Sequence, residues 1–474
     1  MKKLKVLMRP LTALTVLPGL LAHTTLPGLL ALLLLLPLTA RAYTSIDTVL
    51  VGSAVYPGTR HSVRVTLPDG YEATARPDTV AMYLGLDGVL CNAPAVFDRL
   101  HSKGRIPLTV GIFLQPGFVA GADGTVVRWN RSNEFDATDT LFATFLDSEL
   151  LPFVRSLRTS SGRKVTYSSN PARRAIFGLS SGGIAAFTAA WHRPDLFGKV
   201  FTGCATLVPM RGGHNLQAIV RKHEPKPLKI MIQDTYHDTW NPLFGSWYEA
   251  NRQMAGALKF SGYDLRTDWT EGVHSLSGAN RIFMPVMEWL FAAGTNDSIA
   301  AGVTANNFLQ PLLDGAGAWE AVTPETAAAV PESARTAPLR QALWPDSTVM
   351  ARADTASNFL TQYLVDKDGN PYAGQRYYWL HTYDNALLPV GGMAFDGGGN
   401  LWAVTGAGLQ ICDQNGRVRG ILSLPAGLDV SRTGLVLLPG AAVLLDASGL
   451  PVWQRCLNLT APVPGRRPRS QGAA

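Results

Sequence analysis

The chain has 474 residues, more than one ordinary hydrophobic core can use, which predicts at least two domains. Its 46% hydrophobic and 16% charged residues are typical of a globular protein. The formal net charge of +7 falls to +2 without residues 1–42, which carry five basic residues and no acidic one. The sequence has no stripe of basic residues with interleaved aromatic ones, so nucleic acid is not an expected partner.

The first 42 residues have the pattern of an export signal. Three lysines lie at positions 2, 3 and 5, an apolar segment spans residues 29–38, and Ala40-Arg41-Ala42 fits a cleavage site. A membrane anchor is the alternative, but the apolar run is shorter than the roughly 20 residues a spanning helix needs. We predict cleavage near Ala42, a periplasmic or secreted location, and no membrane association afterwards.

Residues 43–294 alternate short apolar runs with amphipathic ones. The predicted strands are 62–67, 79–84, 108–114, 174–179, 200–204, 228–233 and 265–270. The predicted helices are 141–157, 182–191, 248–260 and 280–291. This alternation predicts an α/β domain, with a mostly parallel sheet covered by helices on both faces.

The composition changes after residue 294. Residues 295–343 are rich in Ala, Thr, Pro and Gly, which predicts a linker with short elements. Turn dipeptides such as Asp368-Gly369 and Asn415-Gly416 then separate short apolar runs, so residues 344–461 are predicted to form a small all-β unit of hairpins. Residues 462–474 are predicted to be a disordered tail.

The four cysteines are widely spaced and match no metal-binding pattern. They are Cys91, Cys204, Cys412 and Cys456. Two interpretations stay open: a Cys412–Cys456 disulfide in an oxidising compartment, or buried free thiols.

The stretch Gly178-Leu179-Ser180-Ser181-Gly182 fits the pattern G-x-S-x-G. The pattern alone is weak, and an ordinary Gly/Ser loop is the alternative. Here an apolar run ends at Gly178 and a small-residue helical run begins at Gly182, which is the context of a nucleophile elbow. Ser180 is therefore the candidate nucleophile, and the Ser181 N–H is one candidate donor to an oxyanion.

A serine hydroxyl needs a base, and in this architecture the chain order is serine, acid, histidine. His274 lies between a predicted strand and an amphipathic helix, on the expected edge of the sheet. The acid should follow strand 228–233, where Asp234 and Asp238 both qualify. We prefer Asp238, because a residue directly after a strand is often used in an Asx-turn; Asp234 is the alternative acid. The acid would fix the histidine tautomer.

A second oxyanion donor is expected from the loop after strand 108–114. Pro116 has no N–H, so Gln115 or Gly117 would donate. A plain β-turn is the alternative.

Several separated stretches resemble one bacterial esterase family, which includes enterochelin esterases, esterase D and feruloyl or acetyl-xylan esterases. These stretches are GLSSGGIAAFTAAWHRPDLFGKVF, IPLTVGIFLQPG, NRSNEFD, RKHEPKPLKIMIQD and EGVHS. Over residues 50–292 the resemblance implies an α/β-hydrolase fold and a serine esterase whose triad falls on Ser180, Asp238 and His274. It also implies that four charged residues shape the site or form buried salt bridges. These are Arg131, Glu134, Asp136 and Arg211.

The C-terminal part of the sequence resembles a different family. QRYYWLHTYD and GGMAFDGGGNLWAVTGAGLQICDQNGRVRGILSLP resemble the last blades of the gluconolactonase/regucalcin (senescence marker protein) β-propeller. Roughly 130 residues remain, about half of what six four-stranded blades need. Gly391 replaces an aspartate of that family's metal site, and Leu339-Arg340 stands where its asparagine is expected. We therefore expect a partial propeller without lactonase activity, and no metal or cofactor.

Together these features predict an exported serine carboxylester hydrolase acting through an acyl-enzyme. The resemblance implies an acylated carbohydrate or an aromatic-acid ester as the small-molecule substrate. A set of aromatic residues near the acid would form an acceptor platform or pack in the core: Tyr236, Trp240, Phe244, Trp247 and Tyr248. Two alternatives are a siderophore ester hydrolase, for which no Arg or Lys cluster is seen, and a non-catalytic binding module. The sequence does not indicate the oligomeric state.

Overall fold

The computed structural model describes residues 43–223, 225–292, 299, 309–313, 315, 317–382 and 387–460. Outside these residues lie the predicted export signal (1–42), the predicted tail (462–474) and, of the predicted linker, residues 295–298, 300–308, 314 and 316. By its internal contacts the chain from Tyr43 onward forms one unit, so the predicted boundaries within it stay predictions. Among the described helices, none has the length and apolar character that crossing a membrane requires.

The main sheet, within the described residues, has ten strands. They are β1 (Tyr43–Val51), β2 (Arg60–Pro68), β3 (Ala81–Leu86), β4 (Thr109–Leu114), β5 (Phe118–Ala120), β6 (Val126–Trp129), β7 (Arg174–Leu179), β8 (Lys199–Gly203), β9 (Lys229–His237) and β12 (Asp264–Val273). The order is β12-β9-β8-β7-β3-β4-β2-β5-β6, with β1 also paired to β2. The six strands from β12 to β4 are parallel to their neighbours, and the others pair antiparallel.

Apolar side chains on successive residues of the central strands point to opposite faces of the sheet. Ile176 and Val200 belong to one buried cluster, whereas Phe177 and Phe201 belong to the other. Because both faces are buried, these strands read as continuous apolar runs in the sequence. This is why β7 and β8 could be predicted, whereas β1, β5 and β6 were missed.

Helices cover both faces of the sheet. They are α1 (Ala93–Ser102), α2 (Arg131–Phe135), α3 (Leu141–Phe145), α4 (Leu151–Ser156), α5 (Ser181–His192), α6 (Leu216–Val220), α7 (Trp247–Phe260) and α8 (Leu276–Phe291). A π-helical turn, Leu146–Leu150, joins α3 to α4, so the helix predicted over 141–157 is present with this interruption. Helices α1 and α8 pack on one face, and α3, α4, α5 and α7 on the other. The fold is that of an α/β-hydrolase, which confirms the predicted class.

The C-terminal part of the chain contains three four-stranded antiparallel sheets among the described residues. The first has β14 (Gln341–Leu343), β15 (Val349–Ala353), β16 (Phe359–Val365) and β17 (Pro371–Trp379). The second has β18 (Val390–Phe395), β19 (Leu401–Thr405), β20 (Gly408–Cys412) and β21 (Val418–Leu422). The third has β13 (Glu320–Ala321), β22 (Gly434–Leu438), β23 (Ala441–Leu445) and β24 (Pro451–Cys456). The predicted all-β character is confirmed, and the relation to a propeller stays a prediction.

The predicted linker also contains regular structure. Its described residues supply β13, β14 and three short helices, α9 (Gln310–Leu313), α10 (Pro324–Ala329) and α11 (Glu332–Arg335). Strand β13 pairs with β24, the last strand, with Glu320 opposite Gln454. Segments more than 130 residues apart in sequence thus complete one sheet.

The cysteines are free thiols in the structure. Cys412 is buried on β20, and Cys456 is exposed at the end of β24. Of the two interpretations left open by the sequence, the structure corresponds to the one without a bridge.

Candidate active site

Ser180 lies on a sharp turn between β7 and α5. Its φ is 59° and its ψ is −121°, a backbone conformation that L-residues rarely adopt. The turn depends on Gly178, where an added Cβ would lie 2.0 Å from the Gly182 carbonyl oxygen. The glycines of the motif therefore let strand and helix approach closely enough to project the serine at the carboxyl edge of the sheet.

The structure brings three of the predicted site residues into one chain of hydrogen bonds. His274 Nε2 lies 2.9 Å from Ser180 Oγ, and His274 Nδ1 is bonded to Asp238 Oδ1. Asp238 follows β9 and His274 follows β12, so both lie at the same edge as Ser180. Residues separated by 94 and 36 positions in sequence thus meet as a hydroxyl, an imidazole and a carboxylate.

The Asp238 side chain is fully buried, whereas the His274 side chain is 28% exposed. Burial alone would raise the pKa of Asp238, but hydrogen bonds from His274, Asp234 and the Thr239 N–H outweigh it and hold the pKa below its usual value. The carboxylate is therefore charged at neutral pH and can stabilise a protonated imidazole.

Neighbouring side chains fix the serine and the imidazole. Trp247 packs edge-on to the His274 ring, with centroids 6.4 Å apart. Its Nε1–H donates to Thr206 Oγ1 at 3.3 Å, and this hydroxyl lies 3.4 Å from Ser180 Oγ. Trp247 is buried, so of the two alternatives for this aromatic residue the structure shows packing.

The predicted second oxyanion donors are both engaged elsewhere, which corrects that prediction. The Gln115 N–H donates to the Ser62 carbonyl oxygen at 2.9 Å. The Gly117 N–H donates to Glu134 Oε2 at 2.9 Å. Neither N–H is available to a substrate oxygen, because each already donates to an acceptor within the protein. The loop after β4 is a support for the site rather than a donor.

The loop after β3 is better placed. Strand β3 is the neighbour of β7 in the sheet, and a Cβ added at Gly182 would lie 2.9 Å from Asp87 Oδ2, so this loop contacts the elbow. The Gly88 N–H is used by the Leu114 carbonyl. For the N–H groups of Val89 and Ser181, no acceptor is found within the described part of the chain. The Val89 N–H, on the loop that contacts the elbow, is therefore a candidate oxyanion donor that the sequence analysis did not name.

Arg131 clamps this loop to the elbow. Its guanidinium donates two hydrogen bonds to the Asp87 carboxylate, at 2.7 and 2.8 Å, and a third to the Leu179 carbonyl at 3.4 Å. A bidentate pair of this kind fixes geometry as well as adding energy. Of the two roles left open for Arg131, site shaping and a salt bridge, this arrangement combines both.

Glu134 lies at the centre of a buried polar cluster behind the Gln115–Gly117 loop. It is fully buried and accepts hydrogen bonds from Gly117 N–H, Asn130 Nδ2 at 2.7 Å and His61 Nε2 at 3.1 Å. Its role is therefore structural. Arg211, in contrast, is exposed and donates to Asn133 Oδ1 at 2.5 Å.

Asp136 is buried, and its Oδ1 atom has no hydrogen-bond partner among the described residues. Burial raises its pKa above the usual value, although interactions with Ser132 and Ser181 partly oppose the shift.

We predict that Arg131→Lys lowers kcat about tenfold to a hundredfold with little change in KM, because a small displacement of a donor loop is costly in the transition state. Lysine keeps the charge but cannot form the bidentate pair. Steady-state hydrolysis of p-nitrophenyl acetate measures the effect. Arg193→Lys is the matched control, since Arg193 forms a bidentate pair with Asp195 at the far end of α5. Equal activity of both variants would show that the clamp does not position the loop.

Cys204, Asp238 and His274 bring three potential donor atoms within 4.8 Å of one another. Two of these side chains are already bonded to each other, and burial raises the pKa of the Cys204 thiol. A protonated thiol is a poor ligand. We therefore do not assign these residues as metal ligands.

The α/β-hydrolase fold with this arrangement at its carboxyl edge defines a class of hydrolytic enzymes. Residues 54–280, a little under half of the chain, match the family described as "Putative esterase". The match supports an enzyme of the carboxylic ester hydrolase class. It covers the elbow and the residues that meet there, including Ser180, Asp238 and His274. None of the curated proteins matches the chain.

Solved structures with similarity to the chain include two described as esterases and one described as the BES protein. A ferulic acid esterase is 14% identical, with 52% of this chain and 97% of that chain covered and a TM-score of 0.39. The enterobactin esterase FES from Shigella flexneri is 16% identical, with 52% and 59% covered and a TM-score of 0.39. The BES protein from Bacillus cereus is 11% identical, with 53% and 96% covered and a TM-score of 0.38. Likenesses this distant carry no conclusion about the substrate.

Proposed function

We propose that the chain is an exported serine carboxylester hydrolase that works through an acyl-enzyme. One observation carries the proposal: the unbroken series of hydrogen bonds from Ser180 through His274 to Asp238. Two backbone N–H groups support it, that of Ser181 on the elbow and that of Val89 on the loop after β3, because neither has an acceptor among the described residues. A nucleophile, a base, an orienting acid and oxyanion donors are the parts that acyl transfer needs.

In this mechanism Ser180 Oγ attacks the ester carbonyl while His274 Nε2 takes its proton. Asp238 holds the imidazole in the tautomer with the proton on Nδ1 and stabilises the imidazolium that forms. The Ser181 and Val89 N–H groups donate to the developing oxyanion. His274 then returns the proton to the leaving alcohol. Water next attacks the acyl-enzyme while His274 takes its proton, and the acid is released when that proton returns to Ser180 Oγ.

Exposed apolar side chains surround the acid and base loops. Tyr236, Trp240, Leu243 and Val273 are between 44% and 79% exposed. Trp240 and Leu243 lie on the hairpin of β10 (Trp240–Asn241) and β11 (Gly245–Ser246), directly after Asp238. Flat aromatic and apolar groups can stack on sugar rings or aromatic acids. They support an acylated carbohydrate or an aromatic-acid ester as substrate.

We predict that Trp240→Ala raises KM for methyl ferulate or an acetylated oligosaccharide about threefold to tenfold, the effect of losing one exposed aromatic contact. The kcat on p-nitrophenyl acetate should stay within twofold, because that small ester does not reach the hairpin. Initial rates on a panel of feruloyl, acetyl and glucuronoyl esters measure both. Trp379→Ala is the control, since Trp379 is exposed on β17 in the C-terminal part. An unchanged KM for every bulky ester would remove the hairpin from the binding site.

A further inference from the structure

A second buried carboxyl group, that of Asp234, lies on the strand that leads to the triad residue Asp238. Asp234 is on β9, opposite Trp269 of β12, and its residue is 0% exposed. Its Oδ1 accepts the Thr235 N–H at 2.7 Å. The mechanism proposed above assigns no role to this side chain.

The carboxyl groups of Asp234 and Asp238 lie at the end of the same strand, and each shifts the pKa of the other. The Oδ2 atoms of both carboxyl groups are buried, and neither finds an N–H or hydroxyl donor among the described residues. Two carboxylates in contact in a buried site cannot both be charged at low cost, so the pair shares one proton.

The surroundings decide which carboxyl group holds the proton. Asp238 accepts from His274 Nδ1 and from the Thr239 N–H at 2.5 Å, and both bonds favour its charged form. Burial, followed by the contact with Asp238, raises the pKa of Asp234 to about 9. The titratable groups that face Asp234 are Cys204 and Asp238, and His274 is reached through Asp238. The Cys204 thiol donates to the Ser275 carbonyl oxygen at 3.9 Å, and burial raises its pKa, so it supplies no competing charge.

We propose that Asp234 is a positioning residue for the triad: its neutral carboxyl group donates a hydrogen bond to the Asp238 carboxylate and holds it against the His274 Nδ1–H. This inference rests on the proposed esterase function. Without the donor, the Asp238 Oδ2 atom would be buried and unpaired, and the carboxylate would rotate toward other partners.

Asparagine is the conservative replacement, because its amide keeps both an acceptor for the Thr235 N–H and a donor for Asp238. We expect Asp234→Asn to keep kcat on p-nitrophenyl acetate within about threefold of the wild type. We expect Asp234→Ala, which has no donor, to lower kcat about tenfold to a hundredfold by misplacing the acid. Partial rescue by asparagine is a result that a cavity alone would not produce.

A thermodynamic measurement tests the proton itself and does not depend on catalysis. The unfolded chain loses this proton near pH 3.8, whereas the folded chain holds it to about pH 9. The folded state therefore binds more protons than the unfolded state between these values, and wild-type stability should fall as pH rises through this window. Asparagine has no proton to lose, so the Tm of Asp234→Asn minus that of the wild type should increase from pH 5 to pH 8.

The two measurements have distinct outcomes. A loss of activity in Asp234→Asn as large as in Asp238→Asn would overturn the proposal, as would full activity of Asp234→Ala. If Asp234→Ala does not fold, a Tm difference between Asp234→Asn and the wild type that is constant with pH would overturn it, because Asp234 would then be charged. Activity of Ser180→Ala equal to that of the wild type would end the esterase proposal instead, and the Tm series would still report the protonation of Asp234.

Discussion

Replacing Ser180 with alanine should lower kcat on p-nitrophenyl acetate by at least about a thousandfold, and by as much as about a millionfold. The reason is that Ser180 Oγ is the atom that lies 2.9 Å from His274 Nε2, and alanine leaves the base without a nucleophile to activate. Release of p-nitrophenolate by purified protein measures the loss. The residual rate should reflect only binding and the oxyanion donors.

Ser148→Ala is the matched control, since Ser148 is exposed and its hydroxyl bonds only to a backbone carbonyl in its own helix. Its activity should equal that of the wild type. Far-ultraviolet circular dichroism should show that both variants are folded. If Ser180→Ala hydrolyses the ester as fast as the wild type, the chain is a non-catalytic module or uses another nucleophile.

The second large effect is expected at the acid. Asp238→Asn should lower kcat about a thousandfold to ten-thousandfold, as loss of the orienting carboxylate does in a serine protease. The amide would present an N–H to His274, which favours the tautomer with the proton on Nε2. That tautomer cannot accept the serine proton. The measurement is kcat as a function of pH on a short ester.

Asp268→Asn provides the comparison for this variant. Asp268 lies on β12 and pairs with Arg281 at the surface, so its loss should cost little. Nearly full activity of Asp238→Asn, together with loss in Asp234→Asn, would transfer the role of the acid to Asp234.

The elbow and the residues around it could be predicted because each depends on a local pattern. Gly178 and Gly182 mark a tight turn between two apolar runs, and His274 lies where a strand gives way to a helix. The preference for Asp238 rested on the tendency of Asp234 to bond locally, and Asp234 does accept the N–H of the next residue. The contact between the two carboxyl groups depends on burial that no local pattern reveals.

The second oxyanion donor could not be predicted in the same way. It depends on which strand lies beside β7, and the sequence does not contain the order of strands in a sheet. The loop after β4 was chosen, whereas β3 is the neighbour. Likewise the hairpins of the C-terminal part could be predicted from their turns, but the pairing of Glu320 with Gln454 joins residues that no turn connects.

That pairing has a consequence for the order in which the protein is made. The proposed triad, the helix after His274 and every strand of the main sheet lie before residue 292, so they are synthesised before the C-terminal sheets. The third C-terminal sheet must wait for its last strand, because the segment that begins it has no partner until residues 453 and 454 emerge. We expect this sheet to form slowly, because its completion pairs residues that are far apart in sequence. The α/β part can therefore assemble first.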